Sequence, residues 1–334
     1  MQEKLLKIAL TGDIMLGRLV DQYIVQNFSL PPETVWGDVL PLLLSADLRL
    51  GNLECVISDK GKKWNPLFKP FHFRASPRAI EILRTASFDC VALANNHVLD
   101  YGPEALLDCL DRLRQAHIPY TGAGATLKEA LTPAFLQMDN FKIAILALTD
   151  NEPKWEATLS KPGINYVAYN ERGLLTPYRE RIALAIQQSR QQAQLVIVSA
   201  HIGPNWGAPS QAIQALAHQL IGLGVDVYWG HSNHTPQGIE IVGKKVILYS
   251  TGDFVDDYAV DAMERNDLSF LYEVEMDFRK IQRIYLHPVR IDNFQVRQAR
   301  GSEVAFLQKS MKAKCAAFGS TVDFKDGMGT IRVD

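Results

Sequence analysis

Six side chains in this 334-residue chain make a mixed set of metal donors: Asp13, Glu54, Asn96, His201, His231 and His234. Two carboxylates, one amide oxygen and three imidazoles suit a borderline divalent ion, Mn, Fe or Zn, better than the oxygen-only cages of Ca or Mg. An ion held there would lower the pKa of its water and polarise a scissile bond. His231 and His234 are three residues apart in Gly230-His231-Ser232-Asn233-His234, a glycine-led polar loop that can turn both rings toward one point. His97 follows Asn95-Asn96, and Asp100 comes three residues later. An imidazole with a carboxylate near it, Asp100 or alternatively Asp13, is a pair of residue types that can move and orient a proton. Asp100 reads equally well as the cap of a following helix.

Five of these segments close an apolar run, as a strand does where it exits into a loop. Leu5–Leu10 leads into Thr11-Gly12-Asp13, 47–53 into Glu54, 90–94 into Asn95-Asn96-His97, 195–198 into His201 and 225–229 into His231. Strand ends that carry polar residues in this way predict a shared crevice at the edge of a sheet. Between them, apolar residues recur at helical spacing over 39–44 (Asp38 as cap), 77–86, 103–116, 174–192 and 211–223. Residues 239–242 and 245–249 read as a hairpin, and 268–276 with 281–289 as antiparallel strands. Strand-helix units mixed with hairpins predict two sheets packed face to face with helices outside. Residues 150–170 lack periodicity and form a loop over the site in this reading. Residues 1–291 make one α/β unit. Residues 292–334 make a helical extension packed on it, with a short helix near 302–312 and a glycine-rich end.

The 35 basic and 37 acidic residues leave a net charge of −2, which argues against a nucleic-acid partner. No stretch approaches the ~20 apolar residues of a membrane span, and Lys7 and Asp13 interrupt the N-terminal run before it resembles a signal peptide. Cys55, Cys90, Cys109 and Cys315 form no CxxC pair or regular framework, so reduced thiols and a cytoplasmic location are expected. Arg18, Arg74 and Arg265 are candidate clamps for an anionic or carboxylate-rich small molecule or polymer, because guanidinium groups bind such oxygens in pairs. An apolar face can serve a homo-oligomer, although no coiled-coil heptads are present.

At these residues the chain resembles the calcineurin-like metallophosphatase superfamily, and more closely its capsule-synthesis branch, the CapA proteins of poly-γ-glutamate production. The resemblance rests on Thr11-Gly12-Asp13-Ile14-Met15-Leu16-Gly17-Arg18, Gly51-Asn52-Leu53-Glu54, Asn95-Asn96-His97-Val98-Leu99-Asp100-Tyr101-Gly102, the 230–240 segment and Tyr249-Ser250-Thr251-Gly252-Asp253-Phe254. It implies a four-layer α/β/β/α sandwich, metallo-dependent phosphatase-like, with a metal centre at the rim of its two sheets. It also implies Asp13 as first metal carboxylate, Glu54 as bridging acid, Asn96 as amide ligand, and His201, His231 and His234 as the late imidazoles. His97 takes the place of the histidine that serves the leaving group. The phosphatases carry a histidine where this chain has Met15, and a thioether is a poor ligand for such ions. One position, with Glu54, Asn96, His201 and His231, is therefore expected to hold metal firmly. The second, with Asp13, Glu54 and His234, is expected to be weak or absent. Three functions follow as expectations. The first is metal-dependent hydrolysis of a phosphoester or amide-type bond in capsule biosynthesis. The second is a non-catalytic accessory role that binds an acidic polymer or partner synthetase. The third is metal-independent acid-base chemistry by His97 and Asp13.

Overall fold

The computed structural model describes residues 5–65, 67, 69–277 and 280–333. Two sheets form its centre. The larger has ten strands, in the order Asp323–Lys325, Met328–Arg332, Ile281–Asp292, Leu268–Met276, Leu6–Ile14, Leu48–Leu53, Cys90–Ala92 and Tyr120–Thr121. Asp253–Val255 pairs with Leu6–Ile14, and Gln295–Gln298 with Ile281–Asp292. The second sheet has six strands, in the order Ile239–Val242, Lys245–Leu248, Val227–His231, Leu195–His201, Phe141–Thr149 and Ala134–Met138.

Alternation along the strands sorts their side chains into three apolar layers. Leu6, Ile8 and Leu10 face Ile143, Ile145, Ile197, Val227 and Trp229 between the sheets. The opposite face of the second sheet, with Ala144, Leu146, Leu148, Val196 and Val198, packs on Ile182, Ile186, Leu216 and Leu220 of helices Tyr178–Arg190 and Gln211–Leu223. The outer face of the first sheet is covered by Leu83 of helix Ala79–Thr85, by Leu106, Leu110 and Leu113 of helix Gly102–Gln115, and by Trp36. The result is the expected α/β/β/α sandwich.

Three expectations about elements differ from the structure. The helix predicted over 174–192 spans Tyr178–Arg190, because Pro177 cannot continue a helix backwards and Gly173–Leu174 pairs as a short strand instead. The glycine-rich end forms a hairpin turned at Asp326-Gly327, both at positive φ, which extends the first sheet beyond helix Ser302–Ala316. Asp38 caps no helix: its carboxylate accepts the Gln298 amide at 2.7 Å. The four cysteines are free and buried. Among the described residues no helix is long and apolar enough to cross a membrane.

The parallel pairings position the site. Leu6–Ile14, Leu48–Leu53 and Cys90–Ala92 run parallel, so their C-terminal ends lie on one edge, with Asp13 in register with Asn52. Leu195–His201 is parallel to both Phe141–Thr149 and Val227–His231, which sets His201 beside His231. Trp229 Nε1 donates to Thr11 O at 3.0 Å and joins the two sheets just below that edge. Gly12 permits the close approach there: a Cβ on it would stand 2.1 Å from Gly252 O.

Asp108 is a buried acid away from the site. It accepts from Ser58 Oγ at 2.7 Å, Lys60 Nζ at 2.8 Å and Arg112 Nε at 2.7 Å. Burial pushes its carboxyl up, but these three partners outweigh burial and bring it down to about 2. A depressed pKa contributes stability above the unfolded value, and that contribution is lost as pH falls through the folded one. Screening at the half-exposed Lys60 reduces the contribution to about 1–2 kcal/mol. Asp108→Asn is therefore expected to lower urea stability by about that amount at pH 7, and the difference from the parent should shrink toward pH 2. An equal loss at both pH values would contradict this.

Candidate metal centre

Asp13 closes the first strand, buried where the two sheets meet. One oxygen, Oδ1, accepts from Asn52 Nδ2 at 2.7 Å and lies 2.9 Å from His231 Nδ1. The other, Oδ2, accepts the Ser232 amide at 3.4 Å. His201 stands between the two acids, with Nδ1 3.9 Å from Asp13 Oδ2 and Nε2 3.8 Å from Glu54 Oε1. Asp13, Glu54 and His201 each place a ligand atom within 4.8 Å of the others, and all three are buried. Glu54 also accepts from the Tyr258 hydroxyl at 3.1 Å.

Electrostatics point the same way. Burial raises the Asp13 carboxyl, but the His231 and His201 imidazoles bring it down to about 2. Burial and the neighbouring Asp13 charge push Glu54 well above its ordinary value. Burial likewise drives Asp253 up, with Asp13 adding to it. Three acids packed this closely cannot all ionise without a cation among them. Asn96 Oδ1, His231 Nε2 and Asp253 Oδ2 are among the buried atoms that lack a hydrogen-bond partner among the described residues. An orphaned buried polar atom costs about 1–3 kcal/mol unless something binds it. The Asp13 and Glu54 carboxylate oxygens and a His201 imidazole nitrogen around one point fit a divalent ion.

The centre opens into a cavity of about 440 Å³, lined among others by Arg18, Lys69, Phe71, Trp206, His234 and Tyr258. His97 lies on its wall. The Nδ1 of His97 is 2.5 Å from Asp100 Oδ2, its Nε2 is 3.9 Å from Glu54 Oε1, and its ring stacks on Phe73 at 3.7 Å. Asp100 also accepts the Phe73 amide at 2.6 Å, so it partners His97 rather than capping helix Gly102–Gln115. Burial and the Lys69 charge keep the His97 imidazole well below its ordinary pKa. Burial pushes Asp100 up to about 7 against the opposing pull of Lys69.

Residues 7–258 match the bacterial capsule synthesis protein PGA_cap. A probable polyglutamine synthesis accessory protein of Mycobacterium tuberculosis is 30% identical, with 94% of this chain and 92% of that protein covered. The capsule biosynthesis protein CapA of Bacillus anthracis is also 30% identical, over 75% of this chain and 60% of its own. The PGA biosynthesis protein CapA of Bacillus subtilis is 27% identical over 76% and 64%. The chain belongs to the bacterial capsule synthesis family.

In this PGA_cap chain, Asp13, Glu54 and His201 form one group, across the two positions expected from the sequence. His231 touches Asp13 directly, whereas His234 turns its Nδ1 to Asp253 Oδ1 at 3.0 Å and packs edge-on against Trp206 and Tyr258. Met15 is fully buried in the outer core, and its sulfur accepts the Gly17 amide at 3.1 Å. Arg18 does line the cavity, forked onto the buried Asp257 with Nη2 to Oδ1 at 2.5 Å. Arg74 instead stacks 4.0 Å above Tyr101, and Arg265 is bound at both ends by Asp267, 2.7 Å each. Neither lines the cavity. The 150–170 stretch brings Glu152 to the cavity wall beside the turn Pro153–Trp155. Asn52, Lys69, Asp253 and Tyr258 belong to the site without having been singled out. Asn52 and Asp253 lie inside motif segments and could have been found there; Lys69 carries no motif signal.

Proposed function

We propose that this protein is a metal-dependent hydrolase of a phosphoester or amide-type bond, working in the polyglutamate or capsule synthesis for which its relatives are named. The observation that supports it is the open cavity whose lining includes Glu54 and His201, grouped with the adjacent Asp13, and whose wall presents His97 with Nε2 3.9 Å from Glu54 Oε1. Asp13, Glu54, Asn96, His201 and His231 would hold one divalent ion firmly, Mn, Fe or Zn, and His234 would serve a weaker second position. When bound, the ion supplies an activated water and polarises the scissile group.

This chain's own residues do the rest. The Asp100 carboxylate fixes the His97 ring by accepting a hydrogen bond from Nδ1–H, which leaves Nε2 facing the cavity. The resting ring is neutral. The negative charge of a bound substrate raises its proton affinity, so that Nε2 takes up a proton from solvent as substrate binds and then passes it to the leaving atom, returning the ring to its neutral form. Arg18, neutralised by Asp257 and bracketed by Phe71, Phe73 and Tyr258, orients an acidic substrate through hydrogen bonds rather than by net charge. Tyr258 holds Glu54 in place.

The test uses protein stripped with a chelator and reloaded with Mn, Fe or Zn. Bis(p-nitrophenyl) phosphate and γ-glutamyl-p-nitroanilide serve as probes. Turnover should appear on loading and fall to background on chelation. Stoichiometric metal without turnover of either probe would sink the hydrolase reading, and turnover that survives chelation would sink the role of the metal.

A further inference from the structure

Lys69 lines the cavity, and the proposed chemistry gives it no task. Its side chain is 12% exposed. Its ammonium donates to the Asn96 carbonyl, lies 3.2 Å from Asp100 Oδ1 and 3.0 Å from Glu152 Oε1, and sits 4.3 Å from the centre of the Trp155 ring. The Asn96 and Glu152 oxygens accept from the ammonium, and the Asp100 carboxylate stands beside it at ion-pair distance. An exposed ion pair contributes little, whereas a nearly buried ammonium is costly unless it is well partnered. These partners, drawn from two separate turns, mark a built arrangement.

The partners come from both sheets. Asn96 and Asp100 flank His97 in the turn after Cys90–Ala92 of the first sheet. Glu152 and Trp155 lie in the turn after Phe141–Thr149 of the second. On the first side the ammonium holds the backbone just before His97 and also the carboxylate that grips its ring. We infer that Lys69 is a positioning residue that locks the His97–Asp100 pair and the 152–155 turn into one rigid wall across the cavity. Its effect on turnover rests on the hydrolase reading; the positioning does not.

The experiment uses the full chain with Lys69→Met, and with Lys69→Cys before and after aminoethylation, which restores an ammonium of similar reach. The native cysteines are buried, so the reagent acts at position 69. In metal-free protein, amide exchange over 96–100 and over 150–156 should quicken together by about 10-fold or more in Lys69→Met, while the sheet strands keep their protection. The low-field imidazole proton shared by His97 and Asp100 should broaden or vanish. Aminoethylation should reverse both changes. In metal-loaded protein, kcat on bis(p-nitrophenyl) phosphate should drop about 10- to 100-fold with KM held, and recover on aminoethylation. Faster exchange across the whole molecule, a change in only one of the two turns, or no rescue by aminoethylation would overturn the inference. If the parent protein turns over neither probe, the hydrolase reading fails while the exchange and imidazole readouts still decide the role of Lys69.

Discussion

His97→Ala is expected to abolish turnover while leaving metal content unchanged. The ring contacts the centre only at 3.9 Å, through Glu54 Oε1, and its Nδ1 is committed to Asp100, so it is placed to move a proton rather than to bind an ion. Loss of a positioned acid typically costs 10²–10⁴-fold, about 3–5 kcal/mol in the barrier. Removing a buried ring stacked on Phe73 at 3.7 Å also opens a cavity and leaves Asp100 without its partner. His97→Asn separates these effects, because its amide can still donate to Asp100. Both variants should bind metal at the parent stoichiometry and lack turnover, and His97→Asn should also keep the parent Tm. Metal lost in step with activity would make His97 a ligand and remove it from proton transfer.

The geometry of the strand ends was legible because parallel strands that share an edge deliver their exits together. Asp13, Glu54 and His201 each follow an apolar run, and all three meet at that edge. Their grouping was less legible. His201 stands between Asp13 and Glu54 because register places it beside His231, and pairing register between distant strands leaves no local trace. Asn52 was visible inside its motif, yet only the pairing of Asp13 with Asn52 shows that its amide serves the carboxylate. The arginines show the limit of reasoning by residue type. Alternation places Arg74 on a face, but Tyr101 takes its guanidinium, and Asp267, two residues on, takes that of Arg265. Lys69 gathers its partners from two sheets and lies in a stretch with no periodic pattern, so nothing near it in sequence could have shown its role.

His231→Ala should act in the opposite sense to His97→Ala and strip the protein of metal. The ring is fully buried, with Nδ1 2.9 Å from Asp13 Oδ1, one edge against Trp229, and Nε2 without a partner among the described residues. Losing an outer partner of a metal site costs about 10–100-fold in affinity, and losing a direct donor should exceed that. The same ring is the largest favourable influence holding the Asp13 carboxyl down to about 2. That depressed pKa stabilises the fold above the ordinary value of 3.8 and ceases to do so as pH falls through about 2. Without the ring, Asp13 keeps only Asn52, the distant His201 and the Ser232 amide, so the apo variant should lose stability at neutral pH. The deficit should narrow in acid. His231→Asn keeps a donor near Asp13 and removes the free imidazole nitrogen, so it should fold yet still bind metal weakly. His234→Ala should cost less metal than either, because its ring is committed to Asp253 and the aromatic wall. Metal stoichiometry after dialysis and calorimetric titration with Zn measure the ranking. Full occupancy in a folded His231→Asn would remove His231 from the ligand set and leave Asp13, Glu54 and His201 to hold the ion alone.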